Sequence, residues 1–245
     1  MTHMNELEKL LPVAEIYRDL AQPAAREVGD ALGNVAKAAR FFAAPIDFIA
    51  AYQKRWQNYL ARIADKVPED NRCVAVPQVV GPAVEGLRYV EEDGILAEMF
   101  VNLLARAIDK KRVGEAHPAF SAIIGQLSPD EAVMIWHLRK NQYAVRQSSQ
   151  YNDQTRTFGP RTTEQNDFPL DDLVYPQNFW LYNDHLHSLS LAGVWQQGNQ
   201  DIVRGAEDKQ TGIIIHSKAI LTPFGTMFAD ACVPPVLQEN WRPHK

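Results

Sequence analysis

Hydrophobic residues recur at spacings of three and four between residues 91 and 140, and this pattern predicts three helices. The first helix has one broad apolar face, an acidic start and a basic end, and Gly114 ends it as a left-handed cap would. The second helix begins at Pro118, since proline is favoured at the first helical position. The third helix opens at Ser128, where Glu131 completes a capping box.

Towards the N-terminus the same spacing predicts three further helices, over residues 5–20, 24–42 and 46–66. The connection over residues 67–86 is rich in proline and valine, which predicts an extended strip laid across the helices. Together these elements predict a helical bundle domain over residues 1–127.

After residue 140 the chain becomes more polar and the predicted elements become shorter. Residues 141–167 hold few apolar anchors, so we predict a loop, and a loop of this length is usually mobile or functional. The elements that follow are a helix over 177–191, a strand beginning at Val194, a polar run, a β-branched strand over 212–215 and a helix capped by Thr222. This order predicts a winged-helix-like domain over 128–233 with a small β-hairpin, followed by a C-terminal tail over 234–245. The predicted fold class is therefore mainly α.

Several sequence motifs in these stretches resemble those of a known bacterial family. The runs HPAF and QLSPDEA lie within the predicted second and third helices, REVGDALGNVAKAAR lies upstream and LTPFGTMFADAC lies downstream. These motifs are similar to those of the Abi-alpha (abortive infection alpha) family. The resemblance implies a helical protein associated with defence against phage, and it implies no established chemistry for individual residues.

Charge and composition favour a protein partner over nucleic acid. With 245 residues and 46% hydrophobic content the chain can bury a substantial core, while a net charge of −5 and a pI of about 5.8 disfavour nucleic acid. The predicted helix over 177–191 holds no lysine or arginine, so a winged-helix DNA-binding regulator is the least favoured alternative. We therefore interpret the second domain as a protein-interaction module acting on a protein partner or by self-association. Its predicted interaction surface consists of Trp180, Asn183, Asp184 and His187.

A membrane-acting defence effector is the other alternative, using amphipathic helices around residues 24–66. The run FFAAPIDFIAA is too short to span a bilayer, and Asp47 lies inside it, so a packed core is favoured. In the alternative, the segment lies in the membrane interface, with candidate contacts at Lys37, Arg40, Phe41, Phe42, Phe48 and Ile49. The charged, amphipathic start does not resemble a signal peptide, so we expect a cytoplasmic protein, peripheral at the inner membrane in the alternative.

No constellation of catalytic residues emerges from the sequence. Phosphate-binding loops, nucleophile motifs and HExxH-type zinc motifs are missing from it. Asp184 and His187 are three residues apart and share a helix face, but a metal site needs at least three convergent ligands. Cys73 and Cys232 lack the spacing of a redox or metal pair. We therefore predict a protein that is not an enzyme and binds no metal or cofactor.

Overall fold

The computed structural model describes residues 54–241, which belong to two compact units, one ending at Leu127 and one beginning at Ser128. Helices account for 49% of the described residues, and strands for 21%. The strands form a curled antiparallel sheet of six strands in the second unit. The predicted mainly-α class, a helical bundle followed by a winged-helix-like domain, is therefore wrong.

The first unit is helical in its described part. Its helices are α1 (54–66), α2 (Pro77–Leu87), α3 (Ile95–Ala107) and α4 (Ala119–Ile124). The central element is α3, in which eleven of thirteen residues are buried. Close packing between α2 and α3 explains a glycine: a Cβ at Gly86 would lie 2.3 Å from Cζ of Phe100. The helices predicted over 5–20 and 24–42 lie outside the described residues.

The second half of the segment 67–86, which was predicted as an extended strip, forms α2 instead. Pro77 occupies the first turn, where its missing N–H costs nothing, but Pro82 lies inside the helix. The cost of this interior proline is offset because α2 buries a continuous apolar face formed by Val79, Val80, Ala83, Val84 and Leu87. In this segment the helical spacing of apolar residues was therefore a better indicator of secondary structure than the spacing of prolines. Among the described residues, the short α2, α3 and α4 alternate with irregular turns instead of forming a bundle of long helices.

One charged contact ties α1 to α3. Glu98, only 9% exposed, accepts a hydrogen bond of 2.7 Å from the Lys66 ammonium and also pairs with Arg62. A carboxylate this deeply buried requires such partners, because desolvation disfavours an unpaired charge.

The second unit combines three helices with the sheet. In chain order its elements are α5 (Pro129–Lys140), β1 (Tyr143–Asn152), β2 (Thr157–Phe158), β3 (Thr162–Asn166), α6 (Phe179–Ser188), β4 (Ala192–Gln196), β5 (Asp201–Arg204), β6 (Gln210–Leu221) and α7 (Pro223–Cys232). The two longest strands, β1 and β6, lie side by side at the centre, with Tyr143 opposite Ala219 and Gln150 opposite Gly212. β2 and β3 pair with the outer side of β1, and β4 and β5 pair with the outer side of β6.

The winged-helix prediction failed because the predicted loop over residues 141–167 contains the strands β1, β2 and β3. Along β1, Val145, Gln147 and Ser149 are buried while the residues between them are more exposed, which is the period of a sheet with one covered face. Two of these inward residues are polar, so the hydrophobic pattern of the strand was concealed. The rationale for a winged-helix DNA-binding regulator is thereby lost.

The helix starts predicted from the caps at Ser128 and Thr222 are confirmed. Ser128 Oγ accepts from the Glu131 amide at 3.3 Å, and the Glu131 carboxylate accepts from the Ser128 amide at 2.7 Å. Thr222 Oγ1 accepts from the Gly225 amide at 2.8 Å and caps α7. Gly114 does not end a helix: α3 stops at Ala107 and Gly114 lies in a short 3-10 turn.

Candidate functional site

Helix α6 presents the candidate interaction surface. On this helix Trp180 is half-buried, whereas Asp184 and His187 are exposed, and their spacing of four and three residues aligns them along one side. Leu181, beside Trp180, is 64% exposed. We call Trp180, Leu181, Asp184 and His187 the α6 stripe.

Asn183 does not belong to this surface, because it is only 3% exposed. Its side-chain amide donates to the Phe179 carbonyl at 3.1 Å, within the helix. The placement of Asn183 on the predicted surface is therefore corrected: the residue lies on the side of α6 that faces the interior. Among the described residues, its Oδ1 is one of the few buried polar atoms without a hydrogen-bond partner.

Both ends of the α6 stripe contact the sheet. At the N-terminal end, Trp180 Nε1 donates to Thr163 Oγ1 of β3 at 3.1 Å. At the C-terminal end, the His187 ring lies 5.9 Å from the Trp195 ring of β4, centroid to centroid and nearly edge-on. The two aromatic members of the stripe are thus held in defined orientations.

Asp130, at the start of α5, anchors the segment that leads into α6. Its carboxylate is 4% exposed and accepts from the amides of Val174 and Tyr175 at 2.8 and 2.9 Å and from the Tyr182 hydroxyl at 3.0 Å. Burial raises the pKa of Tyr182 above the usual 10.0, and the hydrogen bond to Asp130 acts in the same direction. Asp130 therefore joins three groups that lie far from it in sequence.

Glu131 provides a second anchor, beside the first. One carboxylate oxygen completes the capping box with Ser128, and the other lies 2.5 Å from Nδ1 of His185 on α6. The residues that begin α5 thus fix the orientation of α6 as well as their own helix. Because both carboxylates are almost fully buried, the orientation of α6 depends on strong charge-assisted hydrogen bonds.

His137 is a buried histidine of the same unit, whereas His185 is partly exposed. It is 8% exposed, its Nε2 lies 2.9 Å from Asp172 Oδ2, and aromatic rings surround it, those of Trp136, Tyr143 and Phe168. The contact attaches the turn at Leu170–Asp172 to α5. It supports the interpretation of His137 as a packing residue.

The chain matches the family model described as abortive infection alpha over residues 51–232. This match covers most of the 245 residues. The chain belongs to the Abi-alpha family. Membership confirms the resemblance seen in the motifs and connects the protein with abortive infection defence. Neither curated proteins nor solved structures show a significant match.

The remaining candidate residues of this Abi-alpha protein fall outside the α6 surface. The membrane-interface candidates Lys37, Arg40, Phe41, Phe42, Phe48 and Ile49 lie outside the described residues. Within residues 54–241, no helix has both the length and the apolar character needed to cross a membrane. No cluster of three or more His, Cys, Asp or Glu in that range could hold a metal ion.

The sequence predicted three members of the α6 stripe, Trp180, Asp184 and His187, but neither Leu181 nor the residues that support the helix in this Abi-alpha protein. The sequence indicated a capping box at Ser128 and Glu131, but not the contacts that Asp130 and Glu131 make with Tyr182 and His185 of α6. The sequence signal for this support was the pair Asp130 and Glu131 at the start of α5, because the cap itself requires only Glu131. A second carboxylate there can serve a distant partner.

Proposed function

We propose that this Abi-alpha protein acts in abortive infection by a protein contact made through the α6 stripe, and that it performs no catalysis. The observation that carries the proposal is the exposure of Leu181 at 64% beside Trp180 on a helix fixed by buried carboxylates. Tryptophan is enriched among the few side chains that contribute most of the binding energy in protein interfaces, and an exposed apolar neighbour adds apolar area that binding would bury. The flanking Asp184 and His187 would supply a polar rim.

Two of the histidine–carboxylate pairs of the second unit support a non-catalytic role. In the Ser128, Glu131 and His185 group the carboxylate lies between the hydroxyl and the imidazole, so the histidine does not contact the hydroxyl as a general base would. The other pair, His137 with Asp172, lies among aromatic rings and attaches a turn. Both arrangements serve to position backbone segments.

The test replaces the most exposed apolar residue of the stripe. Leu181→Asp should abolish protection, because a charge at the centre of an interface must be desolvated on binding. Met227→Asp on α7 is the matched control, since Met227 is 54% exposed and also lies on a helix of the second unit. Plaque counts and culture survival are measured for both variants, together with thermal unfolding of the purified proteins.

We expect Leu181→Asp to fold normally and to give plaque counts close to those of cells without the gene, whereas Met227→Asp protects as the parent does. Protection by a folded Leu181→Asp and Asp184→Lys double variant would refute the role of the stripe. Loss of protection in a folded Asp184→Ala or His187→Ala variant that still binds its partner would argue for catalysis.

A further inference from the structure

One face of the sheet carries a pocket lined mainly by residues of β1 and β6. The residues whose side chains alternate with the buried set form this face, and the register places Ala144 opposite Lys218 and Arg146 opposite His216. A pocket of about 190 Å³ opens above them, also lined by Gln165 of β3 and by Gln197. Its depth follows from Ala144, whose methyl group is short and lies between the longer side chains of Arg146 and Lys218.

The two cations of the pocket retain unused donors. The Arg146 side chain is exposed, and its guanidinium makes no hydrogen bond or ion pair with another residue in the range described. Lys218 makes a single long contact, at 3.5 Å, with the side-chain oxygen of Gln142. Residues on neighbouring strands that face each other directly or diagonally are within reach of one another, so both head groups can approach one ligand.

The carboxylates near the pocket are already engaged by neutral or titratable partners. Asp201 lies 2.8 Å from Nε2 of His216, and Asp167 accepts from the Gln165 amide at 2.7 Å. Glu164 accepts from Ser148 at 2.5 Å. None of these carboxylates forms an ion pair with Arg146 or Lys218 in the part of the chain that the structure describes.

We propose that this pocket binds the oxyanion group, a phosphate or a carboxylate, of a small ligand. The planar fork of Arg146 matches the spacing of two oxyanion oxygens, and the Lys218 ammonium adds a charge at the opposite side. The NH₂ groups of Gln165 and Gln197 already donate to Asp167 and to the Trp195 carbonyl, so the side-chain oxygens of these two residues are the groups that can bind the neutral part. A pocket of about 190 Å³ holds an oxyanion with a few further atoms and not a whole nucleotide.

A small ligand fits this chain better than a nucleic acid. Strong binding of a phosphate polymer requires many basic contacts along a groove, and the chain as a whole carries a net charge of −5. The pocket instead offers two basic groups at one point. The site is independent of the α6 stripe, so it stands whether or not that stripe binds a partner.

The experiment is a titration of the full-length, ¹⁵N-labelled protein with inorganic phosphate and, separately, with acetate, at constant ionic strength and pH, followed by amide chemical shifts. We expect saturable shifts confined to the amides around Arg146 and Lys218 with at least one of the two anions. Saturation by phosphate alone identifies a phosphate ligand, and saturation by acetate alone identifies a carboxylate ligand.

Three variants make the titration specific. Arg146→Gln and Lys218→Gln should each weaken the apparent affinity at least tenfold while leaving thermal unfolding unchanged. Arg161→Gln is the matched control, because Arg161 is exposed in the same unit but lies outside the pocket. It should bind as the parent does.

Three results would overturn the proposal. The first is the lack of saturable shifts with either anion. The second is an apparent anion affinity that falls as much in Arg161→Gln as in Arg146→Gln, which indicates general charge screening. The third is a short single-stranded oligonucleotide that shifts the same amides at a far lower phosphate concentration than inorganic phosphate, which indicates a nucleic-acid surface.

Discussion

Replacing Asp130 with asparagine tests how α6 is held. The Oδ1 atom accepts from the Val174 amide, while Oδ2 accepts from the Tyr175 amide and the Tyr182 hydroxyl. Asparagine keeps the shape but has one acceptor oxygen, so its NH₂ group must face at least one of these donors. With the oxygen at the Oδ2 position, the bond to Val174 is lost and the other two lose their charge assistance.

The expected cost follows from the energy of hydrogen bonds to charged groups. Losing one such bond in this 4% exposed site should lower the free energy of unfolding by about 1.5–3 kcal/mol. For a protein of this size, that corresponds to a decrease in Tm of roughly 3–12 °C. Thermal unfolding followed by circular dichroism and urea unfolding followed by tryptophan fluorescence measure the change independently.

The matched control is Asp153→Asn, the same chemical change in the exposed turn between β1 and β2. It should alter stability by less than about 0.5 kcal/mol. Equal unfolding midpoints for the two variants would refute the reasoning, since water would then replace the carboxylate without loss. Adding Tyr182→Phe to Asp130→Asn should cost less than Tyr182→Phe alone, because the two side chains share one hydrogen bond.

Three further predictions concern other elements. Gly225→Ala should destabilise the second unit strongly, because the added Cβ would lie 1.8 Å from the Leu191 carbonyl oxygen. Gly159→Ala is the control and should be tolerated, because the nearest atom to its added Cβ lies 3.7 Å away. Urea unfolding measures the stability of both variants. The pKa of Tyr182 is raised in the folded state, so the contribution of its neutral hydroxyl to stability is present below pH 10.0 and is lost as the pH rises further. Tyr182→Phe should therefore reduce the loss of stability measured in alkaline unfolding. Glu98→Gln should cost about 1–2 kcal/mol in thermal unfolding, because the ammonium of Lys66 loses a buried charged acceptor but can still turn towards water. An unchanged Tm for Glu98→Gln would show that the pair contributes nothing net.

Local chemistry determined the starts of α5 and α7, and these two boundaries were predictable from the sequence. The cap at Ser128 and the cap at Thr222 each join groups three residues apart, so the interaction depends only on residues that are neighbours in the chain. The same holds for the buried face of α3, which follows from spacings of three and four. Family membership was likewise readable from the run around Pro118 to Ala132.

Part of the candidate site was predictable for the same reason. Trp180, Asp184 and His187 share one side of a helix whatever that helix packs against. The burial of Asn183 was not predictable, because it depends on which side of α6 faces the interior. That side is chosen by the bonds from Asp130 and Glu131, whose partners on α6 are 52 and 54 residues away in the chain.

The sheet was decided by the tertiary structure. β1 contains buried Gln147 and Ser149, which are polar enough to conceal a strand, and it becomes one because β6 satisfies its backbone groups across about seventy residues. The same long-range pairing places Arg146 opposite His216 and Ala144 opposite Lys218, and so creates the pocket. Hydrogen bonds within one turn are encoded in neighbouring residues, whereas pairing between distant strands exists only once the chain has folded.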